Sequence, residues 1–110
     1  MLKSPTNTSK DEYIFTADGF SGNIPVWLKL LAPFKGRANL RFLEIGSYEG
    51  RAAVWLLNNV LTHETAHLTC IDTFEGAVEA STQERSHILE NFKHNIRGFG
   101  CRVDYFVGES

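Results

Sequence analysis

The chain has 110 residues, a net charge of −2, 22% charged residues and two cysteines; that is one small domain, able to bury roughly 65% of its unfolded surface. Acids and bases are interspersed, so no basic stripe is present to neutralise a nucleic-acid backbone, and no segment approaches the ~18 apolar residues of a membrane span. Nucleic-acid and membrane partners are therefore not expected.

Residues 1–12 are polar and rich in Ser, Thr and Lys, and read as a mobile tail without the apolar region of a secretory signal, so the cytoplasm is the expected compartment. The stretch NIPVWLKLLAPF reads as a helix. Asn23 is placed to cap it, Pro25 falls in its first turn, and Ile24, Trp27, Leu28 and Leu31 recur at helical spacing. After a turn at KGRAN, residues 35–39, LRFLEI is a strand with apolar residues on both sides, which implies cover on two faces. Ala53, Val54, Leu57, Val60 and Leu61 then follow a helical period, and LTCID is a second strand. TFEGAVEA has the composition of a loop. Ser81 and Glu84 form a capping box before the periodic Ile88, Leu89, Phe92 and Ile96, and Gly98 closes that helix. RVDYFVGES is a third strand, with Val103, Tyr105 and Val107 on one face and Phe106 on the other.

A lead-in helix followed by βαβαβ implies parallel strands joined by right-handed crossovers, in the order 3-2-1. The fold class is α/β, half of a doubly wound Rossmann-like sandwich. Trp27, Trp55, Phe92 and Phe106 are expected in the core, Arg102 and Asp104 as solvated charges, and Cys70 and Cys101 as buried free thiols. His63, His67, His87 and His94 match no metal-binding spacing, so no metal is expected.

In such a sheet a ligand sits beyond the carboxyl ends of the strands, beside residues 44–50, Asp72 and residues 108–110. The first strand turns into its helix through EIGSYEG, which is neither G-x-G-x-x-G nor a P-loop: only Arg51 and Ala52 follow Gly50. Two carboxylates there, Glu44 and Glu49, would repel a pyrophosphate, on a scale of about 4 kcal/mol at 4 Å and an effective dielectric of 20. The expected ligand is cationic where it meets the loop. S-adenosylmethionine has that character, with a sulfonium, an α-ammonium and no phosphate. Asp72, at the end of the second strand, is placed to accept from ribose hydroxyls, and Gly46 and Gly50 allow close approach of the backbone. Glu49 reads as a solvated loop acid. Glu44, inside an apolar strand, must find donors in the turn or on the ligand.

FLEIGSYEGRAAVWLL, LTCIDTFEG and VDYFVGES together resemble the N-terminal half of class I S-adenosylmethionine-dependent methyltransferases, in particular bacterial small-molecule methyltransferases with an E-I-G-S-x-x-G-R-S motif. EYIFTADGFSGNIPVWLKLLAPF is similar to the lead-in segment of the same group, so residues 13–110 form a partial methyltransferase domain. The resemblance implies that Glu44, Gly46, Ser47, Tyr48 and Gly50 border the methionine and ribose part of the cofactor. It implies that Asp72 holds the ribose hydroxyls, that Thr73 and Phe74 flank the adenosine, and that Gly108 and Ser110 lie near the base. Gly19 replaces a usual tryptophan and Ala52 a usual serine.

That family's sheet has seven strands and this chain supplies the first three, so catalysis, expected to be O-methylation of a small-molecule acceptor, is expected to need the missing half. No catalytic base can be assigned. The first strand would be an open apolar edge, suited to self-association. The competing expectation is a non-catalytic cofactor-binding or dimerising module.

Overall fold

A computed structural model describes residues 13–76 and 82–109, with side chains in the second stretch described from His87 onward. The expected tail at 1–12, the capping pair Ser81 and Glu84, and Ser110 lie outside the described residues or side chains. The elements run in the expected order: helix α1 (Ile24–Leu31), strand β1 (Arg41–Ile45), helix α2 (Arg51–Asn59), strand β2 (His67–Asp72), helix α3 (Thr82–Ile96) and strand β3 (Val103–Val107). The three strands form one parallel sheet in the order β1-β2-β3. This is the 3-2-1 half of a Rossmann-like fold, read from the other edge. No helix among the described residues is long and apolar enough to cross a membrane.

Register decides which residues meet α2 and α3. Phe42, Leu68 and Val103 lie abreast, as do Glu44, Cys70 and Tyr105, and this row faces the core. Leu57, Leu61, Leu68 and Phe92 are among the residues sealed there. The Phe92 ring sits 4.8 Å from Phe74 and 5.4 Å from Tyr105, centroid to centroid, so the core is aromatic at the end near the strand tips.

The opposite sheet face is open among the described residues. Leu43, Ile45 and Phe106 are more than half exposed there, which corrects both the expected two-sided cover of β1 and the expected burial of Phe106. Period-2 apolar patterning requires a covered face but does not say what covers the second one. Leu28 is also exposed, while Trp27 and Leu31 pack on the core.

Four local expectations change. Asn23 makes no side-chain cap; instead Asp18 Oδ1 accepts from the N–H groups of Phe20 at 3.0 Å and Ser21 at 2.8 Å. Helix α3 ends at Ile96 in a 3-10 segment, Arg97–Arg102, where Gly100 rather than Gly98 takes the positive φ, 60°. Cys101 is exposed while Cys70 is buried. Arg102 is not a solvated charge: its Nη2 donates to the carbonyls of Leu57, at 2.9 Å, and Leu61, satisfying the C-terminal end of α2.

Candidate functional site

The strand tips and the turn after β1 form an acidic rim built on unusual backbone. Gly46, Tyr48 and Gly50 all have positive φ, at 85°, 52° and 88°, so the chain folds back sharply between Ile45 and α2. A Cβ on Gly46 would meet nothing within 4 Å, whereas one on Gly50 would meet Phe92 Cδ1 at 3.0 Å. Gly46 therefore presents bare backbone to open space, and Gly50 lets the turn lie on α3.

The amides of this turn are largely taken. Gly46 N–H donates to Ile71 O at 2.8 Å, Gly50 N–H to Ser47 O at 2.8 Å, and Tyr48 N–H to Asp72 Oδ2 at 2.6 Å. Asp72 thus points at the glycine turn. Its Oδ1 accepts from Phe74 N–H at 3.0 Å, and β3 continues past it through Gly108 N–H to Asp72 O at 2.9 Å.

Glu44 is half-buried on the core face of β1, and among the described residues it accepts from the Cys70 thiol, Sγ to Oε1 at 3.8 Å. Burial pushes its carboxyl above the ordinary range. The Ser47 hydroxyl and the Cys70 thiol ease that rise, and the Asp72 charge adds to it. Burial also pushes Cys70 up to about 12, so it stays a thiol and can donate. The Ser47 hydroxyl is buried and close enough to temper both groups, yet it makes no hydrogen bond of ordinary geometry. A buried hydroxyl without a partner beside a weakly partnered carboxylate is a polar surface lacking its complement.

These groups open into a cleft of about 510 Å³ whose wall includes Glu44, Gly46, Ser47 and Tyr48, together with Phe20 and Trp27. A second depression of about 220 Å³ lies between Gly46, Asp72, Thr73 and Gly108. Ile45 and Gly46 border both, so a ligand longer than either could lie across Gly46.

The structure thus brings Glu44, Gly46, Ser47, Tyr48, Asp72, Thr73 and Gly108 to one rim. Gly50 lies beneath the turn, against Phe92. The Phe74 ring, expected to flank a nucleoside, is only 3% exposed and lies in the core against Phe92 and Tyr105, while its N–H reaches the rim at Asp72. Glu49 is likewise no solvated acid. It is 2% exposed, and its carboxylate is filled by Thr16 and Asn91. Trp27 and Phe20 were not foreseen as cleft residues; the helical spacing of Trp27 marks it as inward-facing without saying that the inside here is a cavity wall.

Among protein-family models, one described as a methyltransferase domain matches residues 43–110, well over half of the chain and all of the rim except its approach from α1. No curated protein matches the chain. No solved structure matches it.

Proposed function

The chain belongs to the methyltransferase domain family, of the class I S-adenosylmethionine-dependent kind, and from that premise we propose that its rim binds S-adenosylmethionine as the cofactor site of a small-molecule O-methyltransferase. The observation that carries the reading is Glu44, a desolvated carboxylate whose neighbours among the described residues are the Cys70 thiol and the Ser47 hydroxyl, with no cation beside it there. Glu44 and Ser47 fit an amino-acid zwitterion: Glu44 would accept from the ammonium and Ser47 would donate to the carboxylate. Asp72 has two backbone donors and retains acceptor capacity for ribose hydroxyls. Gly46 admits close approach between these two ends, and Thr73 and Gly108 border the depression that would take the adenine.

The cofactor supplies a methyl group on a positively charged sulfur, open to in-line displacement. The chain's part is to hold that methyl in a fixed direction and to keep water from the acidic pocket, so that the reaction with the acceptor becomes effectively unimolecular. No residue among those described is assigned to the acceptor or to the group that takes its proton.

Calorimetric titration tests this with S-adenosylhomocysteine, 5′-methylthioadenosine and NAD. The homocysteine compound should bind and NAD should not. Glu44→Gln should weaken S-adenosylhomocysteine by roughly 10- to 100-fold, the worth of a hydrogen bond to a charged group, and leave methylthioadenosine, which lacks the ammonium, unaffected. Uptake of NAD in preference to the sulfur nucleosides would refute the proposal.

A second reading is favoured by the outer edge of β1, which among the described residues pairs only with β2, and by the exposed Leu43 and Ile45 beside it. In that reading the chain is a non-catalytic module that self-associates through β1. Sedimentation over a range of concentrations distinguishes the two: a monomer that binds the nucleoside favours the first, a β1-dependent dimer the second.

A further inference from the structure

Three polar side chains are buried among the described residues: Ser47, Glu49 and Asn95. Two of them are engaged in one task, holding residues 13–19, a segment with no regular secondary structure and mostly exposed. Asn95 on α3 clamps Ile14 by both backbone groups, accepting from its N–H at 2.7 Å and donating to its carbonyl at 3.0 Å. Glu49 accepts from Thr16 twice, from the N–H at 2.8 Å and the hydroxyl at 2.7 Å, and its Oε2 also accepts from Asn91 Nδ2 at 2.9 Å. Asn95 closes the circuit by donating to the Glu49 carbonyl at 2.9 Å. Arg51 completes the attachment, its guanidinium 4.4 Å from the centre of the Phe15 ring, with Nε donating to Ala17 O at 3.3 Å and lying 3.5 Å from Asp18.

Two facts connect this attachment to the site. Ala17, Gly19 and Phe20, at the end of the strap, form part of the cleft wall. Glu49 itself lies in the glycine turn, between Tyr48, whose N–H fixes Asp72, and Gly50. One buried carboxylate therefore joins three things: the strap, α3 and the turn that carries the rim. An exposed segment without helix or strand has little of its own to hold it in place, so its position is set by these side-chain bonds.

We propose that Glu49 is a positioning residue that fastens the N-terminal strap over the cofactor cleft, so that strap docking and ligand binding reinforce one another. The proposal rests on the reading of the cleft as a sulfur-nucleoside site. Because coupling between two binding events is reciprocal, ligand must tighten the strap by the factor by which the docked strap tightens ligand.

The test uses the full chain and three readouts: chymotrypsin cleavage at Tyr13 and Phe15, the emission of Trp27 and Trp55, which are the only tryptophans and both contact Phe20, and S-adenosylhomocysteine affinity by calorimetry. Thr16→Val removes one bond from an exposed position and leaves the core intact. It should speed strap cleavage and lower nucleoside affinity, each on the order of tenfold, the scale of a hydrogen bond to a charged group. Asn91→Asp sets two carboxylates together and should release the strap, whereas Glu49→Gln alone should cost less, because the Asn91 amide can turn its oxygen toward the new donor. Combined in one chain, the two substitutions restore a donor–acceptor pair with the roles exchanged, an amide on the turn donating to a carboxylate on α3, and should recover protection, emission and affinity. Unchanged affinity in Thr16→Val, with a wild type that binds, overturns the inference and leaves the cofactor reading standing. A wild type that does not take up S-adenosylhomocysteine overturns both.

Discussion

The two glycines of the turn have nearly the same φ, 85° at Gly46 and 88° at Gly50, but different surroundings, and alanine at each separates backbone strain from packing. At Gly46 an added Cβ meets no atom within 4 Å, so Gly46→Ala should cost only the left-handed penalty, roughly 1–2 kcal/mol. At Gly50 the same penalty applies, and the Cβ also meets Phe92 Cδ1 at 3.0 Å and Cε1 at 3.4 Å. Phe92 cannot swing aside, because it is fully buried between Phe74 and Tyr105. Overpacking of that kind adds about 1–3 kcal/mol, giving a total of about 2–5 kcal/mol for Gly50→Ala. For a domain stabilised by only about 5–15 kcal/mol this is a large share. Urea unfolding followed by far-UV circular dichroism measures both variants by linear extrapolation. In a double-mutant cycle, Phe92→Leu should partly offset Gly50→Ala by relieving the contact, while adding independently to Gly46→Ala. Equal losses in the two glycine variants, or no coupling to Phe92, would refute the argument that Gly50 is required by packing.

Three further outcomes follow from charge. Because burial raises the folded-state pKa of Glu44 above its ordinary value of 4.5, its contribution to stability is favourable below that value and declines as pH rises through the raised pKa. Glu44→Gln should therefore flatten the decline of the ligand-free chain's melting temperature above pH 4.5; an identical pH profile would count against the desolvated carboxylate. Asp18 behaves oppositely. Its bonds from Ser21 and Phe20, with help from Arg51, hold it down at about 2, so the stability it lends is complete above its ordinary 3.8 and lost as pH falls from there to about 2. Strap cleavage by an acid-active protease should accelerate in that window, and Asp18→Asn should remove the pH dependence. Arg102→Ala should destabilise by about 1–2 kcal/mol through loss of the cap on α2, read as a lower urea midpoint; an unchanged midpoint would show that water replaces it freely.

The order and pairing of the strands were legible because periodicity is local and right-handed crossovers leave little choice once three parallel strands are placed. The rim was legible for the same reason: the ends of strands mark it, and Glu44, Gly46 and Asp72 stand at those ends. What could not be read depends on partners far along the chain. Glu49 lies 33 residues from Thr16 and 42 from Asn91, and nothing beside it in SYEG distinguishes a buried clasp from a solvated acid. Arg102 reaches back 45 residues to Leu57. Phe74 follows a strand whose end looked like rim, yet its φ of 59° turns the ring back into the core, a rotation for which a non-glycine residue offers no signal.

Three carboxylates gather at this rim, and the number of donors each already has indicates where a ligand's donors belong. Glu49 is fully engaged by Thr16 and Asn91 and has no role left in recognition. Asp72 holds two backbone amides and, at 3.5 Å, the Thr73 hydroxyl, so it keeps room for a further donor on Oδ2 but is in no need of a positive charge. Glu44 has, among the described residues, no donor but the Cys70 thiol and the nearby Ser47 hydroxyl. The gradient from satisfied to unsatisfied therefore runs toward Glu44, which is where a cation gains most, while hydroxyl donors suit Asp72. The turn's amides carry the complementary message. A phosphate at such a turn is held by free N–H groups, and those of Gly46, Tyr48 and Gly50 already donate to protein acceptors. A pyrophosphate here would sit beside Glu44 and Asp72, whereas the proposed sulfur nucleoside would offer its ammonium to the first and its ribose hydroxyls to the second.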